Sequence, residues 1–245
     1  MKRIIVSISV TLLILSTLAD APARQAGKSG AGQRTAIRCG RLIDGKSDAP
    51  IINAVILIEG ERITAVGAGV EIPPGADIID LRNATVLPGL IDSHTHLLQN
   101  YDGALGGDDA NMILTVTQLG NTRRALLGAA MGREDLEAGI TTVRDLGNSG
   151  HNGDVALRDA IYAGWVVGPR IVASTRALAA AGGQFGEVSA ETQKIIEQEY
   201  AVISGVEEAR RAVRQALYDG ADCIKVIVNT GPRVVSLEEM KVIVE

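Results

Sequence analysis

The sequence predicts an α/β protein: a parallel sheet of strand–helix repeats, preceded by a small all-β unit. Three observations carry this reading. From Leu87 onward, Val- and Ile-rich runs of strand length alternate with segments of helical periodicity, the pattern of a parallel sheet with right-handed crossovers. Before Leu87, short β-prone runs follow one another with no helix between them. The 245 residues are 46% hydrophobic, enough to bury a sizeable core.

The first 23 residues read as a signal peptide. Lys2 and Arg3 precede the apolar or small run Ile4 to Ala19, and small residues follow at Ala21 and Ala23. The apolar run is shorter than the ~20 residues a membrane-spanning helix needs, so no stable membrane anchor is expected and the mature chain is expected to be periplasmic or extracellular. Residues 24–35, "RQAGKSGAGQRT", read as a polar linker. Its glycines do not read as a phosphate loop, because no strand leads into them and no helical pattern follows. Cys39 and Cys223 fall in two different predicted strands of two different units and read as buried thiols.

The β unit spans residues 36–86. "AIRCGRLIDG" (36–45), "NAVILIEG" (53–60), "RITAVG" (62–67) and "DIIDL" (77–81) predict strands, with "EGER" a tight turn and "EIPPGAD" a loop. An antiparallel, sandwich-like arrangement is expected. Residues 87–245 then predict strands at "GLIDSHTH", "TTVRDLG" (141–147), "RIVAST" (170–175) and "CIKVIVN" (223–229). Between them, helices are expected over 111–138, broken near Gly120 and Gly132, and over 154–163 and 205–219. Val206, Ala209, Val213 and Leu217 mark the inner face of the last of these. Gly220 is placed as a helix C-cap, and Ser236 with Glu239 forms a capping box opening a final helix. Residues 190–200, rich in Glu and Gln, read as a solvated helix face.

Two of the chain's three histidines, His94 and His96, sit one residue apart in "PGLIDSHTHL". On a strand, residues i and i+2 share a face, so two imidazoles stand side by side with Asp92 beside them. Such a pair is an efficient bidentate site for a divalent transition metal. Leu90 and Ile91 read as placing this strand in a core. An H-x-H pattern alone fits two polar loop residues equally well. His151 and Gln184 are candidate substrate contacts, on the loops after the second and third strands of the parallel sheet. Phe185 is a further candidate there, and Arg144–Asp145 reads as a structural ion pair. A formal charge of −5 and an aromatic content of 2% argue against a nucleic-acid partner.

"VLPGLIDSHTHL", "GITTVRDLGNSG" (139–150) and "GADCIKVIVNTG" (220–231), in this order after a small β unit, resemble the amidohydrolase superfamily, in its imidazolonepropionase-like and prolidase-like branch. The resemblance implies a partial (β/α)8 TIM-type barrel, about the first four to five βα units, preceded by the β unit. It implies that His94 and His96 bind a metal at the end of the first barrel strand, with one or two Zn²⁺ ions as cofactor. Lys225 matches the fourth-strand lysine that in binuclear members is carboxylated and bridges the metals; a lysine whose head reaches water at a strand end is the plainer reading. The implied reaction is hydrolysis of an amide, lactam or dipeptide C–N bond by hydroxide generated on the metal, with a small-molecule amide or dipeptide as substrate.

The family's two further histidine ligands and its strand-end aspartate have no counterpart here, since no histidine follows His151. The stretch from Thr95 to Glu245 has room for about five βα units of ~30 residues, not eight. The expectation is therefore the N-terminal portion of an exported hydrolase, or alternatively a non-catalytic remnant with at most weak metal binding. An open sheet edge would favour self-association.

Overall fold

The computed structural model describes residues 34–99, 101, 104, 107–185, 189–230 and 233–245. The expected signal peptide and all of the linker except Arg34 and Thr35 lie outside the described residues. Among the described residues no helix is long and apolar enough to cross a membrane.

The N-terminal part is one five-stranded sheet built from β1 (Arg34–Leu42), β2 (Ile51–Ile52), β3 (Val55–Glu59), β4 (Arg62–Gly67) and β5 (Asp77–Val86). Strand β1 therefore starts two residues before the expected boundary. Its neighbours β2 and β3 run antiparallel to it, and β3–β4 is a hairpin with a two-residue turn in which Gly60 takes φ +60°. The expectation of a wholly antiparallel, sandwich-like unit is corrected by β5. That strand is ten residues long and pairs parallel to β1, making one mixed sheet. The long excursion from β4 to β5 allows this, because a parallel return needs a crossover rather than a tight turn. The inward residues Cys39, Leu42, Ala54 and Ile56 form the core of this unit.

The second part carries the helices. β6 (Leu90–Thr95), β7 (Ile140–Asp145) and β8 (Arg170–Ala173) pair in parallel in chain order. Helices α1 (Asp108–Gln118) and α2 (Asn121–Glu137) lie between β6 and β7, and α3 (Gly153–Tyr162) lies between β7 and β8. The break at Gly120 is present, but Gly132 lies inside an unbroken α2. A Cβ there would stand 3.3 Å from Pro169 Cδ, so that glycine serves close packing rather than chain breaking. A core of Leu97, Leu98, Val143, Val155, Leu157 and Ile171 fills the space between these helices and strands.

After β8 the chain bends sharply. Thr175 takes φ +59°, a left-handed conformation that costs a β-branched residue on the order of 1–3 kcal/mol. The buried Asp154 carboxylate holds the bend by accepting the Ser174 and Thr175 N–H groups at 2.9 and 2.7 Å. The redirected strand β9 (Ala177–Ala179) pairs in parallel with β10 (Tyr200–Val202) on one side and β11 (Val226–Ile227) on the other. The strand expected over 223–229 is ladder-paired only at β11, although Leu178 N–H also donates to Lys225 O at 2.8 Å. A short hairpin, β12 (Asn229–Thr230) with β13 (Arg233–Val234), follows.

Residues 190–200 are not simply a solvated face. A 3₁₀ turn leads into α4 (Gln193–Glu199), whose Ile196 and Glu199 are buried. Helix α5 (Val206–Tyr218) buries Ala209 and Ala216 and packs Ala212 and Val213, while Leu217 is exposed. The apolar stripe drifts around the helix, because 3.6 residues per turn does not divide evenly into a repeated i+4 step. Gly220, at φ +98°, ends α5 in a Schellman motif, with Gly220 N–H donating to Leu217 O and Ala221 N–H to Ala216 O. The Ser236–Glu239 capping box opens α6 (Leu237–Val244) as expected.

Leu90 and Ile91 are 55% and 72% exposed, against the expectation that they sit in a core. Among the described strands β6 pairs only with β7, so it is an edge strand, and no described element covers its apolar side chains.

Candidate active site

A cleft of about 350 Å³ is lined by residues at the C-terminal ends of β6 and β7, by the first residues of β9 and β10, and by Lys225 and Ile227 beside and within β11. His94 lies in β6, and His96 follows directly after the strand. The next two residues, Leu97 and Leu98, are buried in the core and anchor the turn that carries His96. Polar contacts from the end of β7 complete the clamp. Leu97 N–H donates to Asp145 Oδ2 at 3.0 Å, and Leu146 N–H donates to Thr95 O at 3.0 Å.

The two imidazoles converge, with ring centroids 5.2 Å apart and planes at 69°. His96 Nδ1 lies 3.0 Å from Gly147 O. A carbonyl only accepts, so Nδ1 carries the proton and Nε2 carries the lone pair of the neutral ring. This is the arrangement by which a protein orients a metal-binding imidazole. Asp92 Oδ1 accepts the His94 N–H at 2.9 Å and so fixes the strand end rather than the ring.

Lys225 comes from the segment leading into β11, and its Nζ lies 3.4 Å from His94 Nε2. Burial lowers the Lys225 pKa from the usual lysine range, and Arg144 adds to this. The His94 pKa is also lowered, first by burial, then by Lys225, His96 and Arg144, with Asp92 opposing. Both shifts favour the neutral forms that metal ligation and lysine carboxylation require. Among the described residues no group of three or more His, Cys, Asp or Glu side chains is placed to hold a metal. What converges instead is two imidazoles and an amine. This donor set fits one divalent cation if Lys225 ligates as neutral amine or carbamate.

Of the other sequence candidates, Gln184 lines the cleft. His151 is exposed in the turn before α3 and is not among the lining residues. Phe185 is buried and packs edge-on against Tyr200, 6.0 Å between centroids, rather than facing the cleft. Arg144 and Asp145 do not pair with each other, because the strand puts them on opposite faces. Arg144 donates to Ser93 O, while Asp145 is fully buried. Burial, then the nearby Asp154, pushes the Asp145 pKa up to about 8.

Sequence reasoning missed a polar wall of the cleft formed by Gln99, Asn148 and Tyr200, with Gln99 in the turn after His96, where its N–H donates to His96 O at 3.1 Å. Tyr200 O–H donates to Asn148 Oδ1 at 3.4 Å, and Asn148 Nδ2 donates to Gln99 Oε1 at 3.1 Å. Behind this wall lies a buried ion pair. Arg124 Nη1 and Nη2 donate to Glu199 Oε1 and Oε2 at 2.7 and 3.1 Å, and the side chains are 2% and 0% exposed. Arg124 also donates to the backbone carbonyls of Leu98 and Asn148, and Gly150 N–H donates to Glu199 at 3.3 Å. The available sequence signal was Asn148 itself, the kind of residue that tolerates φ +56° at a strand-end turn.

Similarity to known proteins agrees with this geometry and decides the lineage. The Amidohydrolase family model matches residues 85–245, more than half of the chain. The chain belongs to the amidohydrolase family. An ochratoxinase from Aspergillus niger is 33% identical over 241 aligned residues, which cover 86% of this amidohydrolase chain and 47% of the relative. A dihydroorotase from Mycobacterium leprae (strain TN) is 55% identical over a shorter stretch of 42 residues, 17% of this chain and 10% of the relative. Among solved structures, a Xaa-Pro dipeptidase with methionine in its active site superimposes with a TM-score of 0.71 at 33% identity, covering 86% of this chain and 53% of that one. A prolidase complexed with N-methylphosphonate-L-proline gives 0.72 at 30% identity, covering 86% and 53%. The amidohydrolase chain thus spans about half the length of these longer matches.

Proposed function

We propose that this chain provides the first-strand histidine pair and the fourth-strand lysine of an exported, metal-dependent hydrolase of C–N bonds, carried on the first part of a (β/α)8 barrel. The observation that carries the proposal is the convergence of His94, His96 and Lys225 on one cleft at the C-terminal end of β6. Chemistry in a parallel α/β barrel sits at that end. A divalent cation, Zn²⁺ in our reading, would lower the pKa of water and polarise the scissile carbonyl.

The chain's own residues position and tune the site. His96 is held in its ligating tautomer by Gly147 O. His94 and Lys225 are biased toward neutrality by burial and by neighbouring positive charge. The cleft excludes part of the bulk solvent and presents amide and phenol groups to a substrate. The substrate class proposed is an N-acyl amino acid, dipeptide or cyclic amide. The similarity to proteins described as a Xaa-Pro dipeptidase and a prolidase supports that choice.

One function is missing from the cleft. Among the described residues no carboxyl side chain lines it, and in this reading the imidazoles and the amine that do are engaged on the metal, so the leaving nitrogen has no dedicated carboxylic acid to protonate it. Absence of a general acid or base costs typically 10²–10⁴-fold. We therefore read the 245-residue chain as metal-binding but without appreciable turnover by itself. A non-catalytic role in association is the second reading, and the exposed Ile78, Ile79, Leu90 and Ile91 on strands β5 and β6 favour it.

The test is to load the chain with Zn²⁺ and assay release of amine from N-acyl amino acids and dipeptides. The expected result is tight Zn²⁺ retention and no turnover above Zn²⁺ in buffer. Turnover that disappears in a His94→Ala, His96→Ala double variant would show that the chain assembles a complete site. Export is tested by N-terminal sequencing of the secreted product, with cleavage expected near residue 23.

A further inference from the structure

The polar wall of Gln99, Asn148 and Tyr200 is built with a direction. Tyr200 O–H gives its proton to Asn148 Oδ1, and Asn148 Nδ2 gives one to Gln99 Oε1. Both ends of the Asn148 amide are therefore engaged, and its backbone carbonyl is held by the buried Arg124 guanidinium. Asn148 is only 6% exposed and Tyr200 1%, so neither can swing away. With its oxygen already used, Gln99 offers Nε2. Among the described residues that nitrogen makes no hydrogen bond, and Gln99 lines the cleft. An amide nitrogen carries two N–H donors and no acceptor. The wall thus ends in a donor fixed in orientation by two buried neighbours.

The charge of the cleft points the same way. Among the described residues its ionisable lining groups are two imidazoles, one amine and two phenols, with no carboxylate. Such a surface disfavours a cationic substrate end and suits an anionic one. We infer that Gln99, oriented by Asn148 and Tyr200, is a specificity-determining residue that receives the carboxylate of an N-acyl amino acid or dipeptide, in the same cleft as His94 and His96. The inference deepens the proposed function and rests on reading this cleft as the substrate site.

The experiment titrates the whole chain calorimetrically with N-acetyl-L-methionine and with its carboxamide, each with and without Zn²⁺. Gln99→Leu and Gln99→Glu variants follow, their folding checked by circular dichroism. Hydrogen bonds to charged groups are strong enough that Gln99→Leu should weaken binding of the carboxylate at least about tenfold. Gln99→Glu should weaken it further by like-charge repulsion, and the wild-type chain should prefer the carboxylate over the carboxamide. Zn²⁺ affinity should be the same in all three proteins. Wild-type affinity in both variants, a preference for the carboxamide, or no binding of either probe to the wild-type chain would overturn the inference. Zn²⁺ affinity reports the metal reading separately. Failure to hold Zn²⁺ contradicts that reading, while Gln99-dependent binding to the metal-free chain still supports the wall.

Discussion

Replacing Glu199 with Gln changes one charge and almost no volume, which makes it a clean probe of the ion pair behind the cleft. In the native chain Arg124 and Glu199 are 2% and 0% exposed and share two hydrogen bonds of 2.7 and 3.1 Å. The Glu199→Gln side chain would keep an oxygen for Gly150 N–H but would leave the Arg124 guanidinium buried without a counter-charge. Removing one partner of a buried pair typically costs about 3–5 kcal/mol, because the surviving charge has lost its compensation. Against a total stability on the order of 5–15 kcal/mol, that loss is a large fraction of the whole. Replacing both residues by apolar ones of similar volume, Arg124→Met with Glu199→Leu, removes the charge problem. It should cost less than either single change. The assay is urea unfolding followed by circular dichroism, with linear extrapolation of each variant. A double-mutant cycle then isolates the coupling. If Glu199→Gln costs less than about 1 kcal/mol, well under the range for a buried pair, the two charges do not depend on each other as the geometry implies. The same holds if the double variant is the sum of the two single variants.

Three further outcomes are expected. Gly183 takes φ +64°, and a Cβ there would stand 2.5 Å from the Tyr200 ring. Gly183→Ala should therefore destabilise by about 2–4 kcal/mol, from left-handed strain plus overpacking, as read by thermal or urea unfolding. Asp145, raised to about 8 in the folded state, should make stability pH-dependent. Its folded pKa lies above the unfolded value, so this contribution is fully present below about pH 4 and is lost as pH rises through about 8. Urea midpoints should fall between about pH 4 and about pH 8 and level off above that, and Asp145→Asn should flatten that fall; an unchanged slope in the variant would assign it to other groups. Finally, breaking the strained bend at Thr175 by Asp154→Ala should cost at least about 2 kcal/mol, because the Ser174 and Thr175 N–H groups lose their acceptor in a buried setting. Wild-type stability in that variant would count against Asp154 as the holder of the bend.

What the sequence made legible were features encoded within a few residues of one another. The i, i+2 spacing of His94 and His96, the Ser236–Glu239 box and the Gly220 cap are all local, and the structure shows each geometry. Lys225 was found through its resemblance to a family motif rather than through its pattern, which equally fits a lysine reaching water. The misreadings share a different cause. Glu199 looked solvated because its partner Arg124 lies 75 residues earlier, and no local pattern announces that a charge will be buried by a distant one. Gly132 looked like a helix break because its reason for being glycine is Pro169, on the approach to another strand. The parallel pairing of β5 with β1 was invisible because alternation within a strand does not specify the direction of its neighbour. Leu90 and Ile91 looked like core because their pattern is that of a covered strand, and in this chain the cover is not among the described residues. The polar wall of Gln99, Asn148 and Tyr200 is assembled from three separate segments and could be recognised only once they met.

Whether His94, His96 and Lys225 together hold a divalent cation is tested most directly by a zinc count. The purified chain is equilibrated with Zn²⁺, loosely bound metal is removed by gel filtration, and zinc per chain is measured by atomic emission. About one zinc per chain is expected for the wild type, since three ligands make a mononuclear site. Near-complete loss is expected in the His94→Ala, His96→Ala double variant, and a strong reduction in Lys225→Met. Equal zinc in the wild type and the double variant, or none in the wild type, would contradict the three-residue metal site.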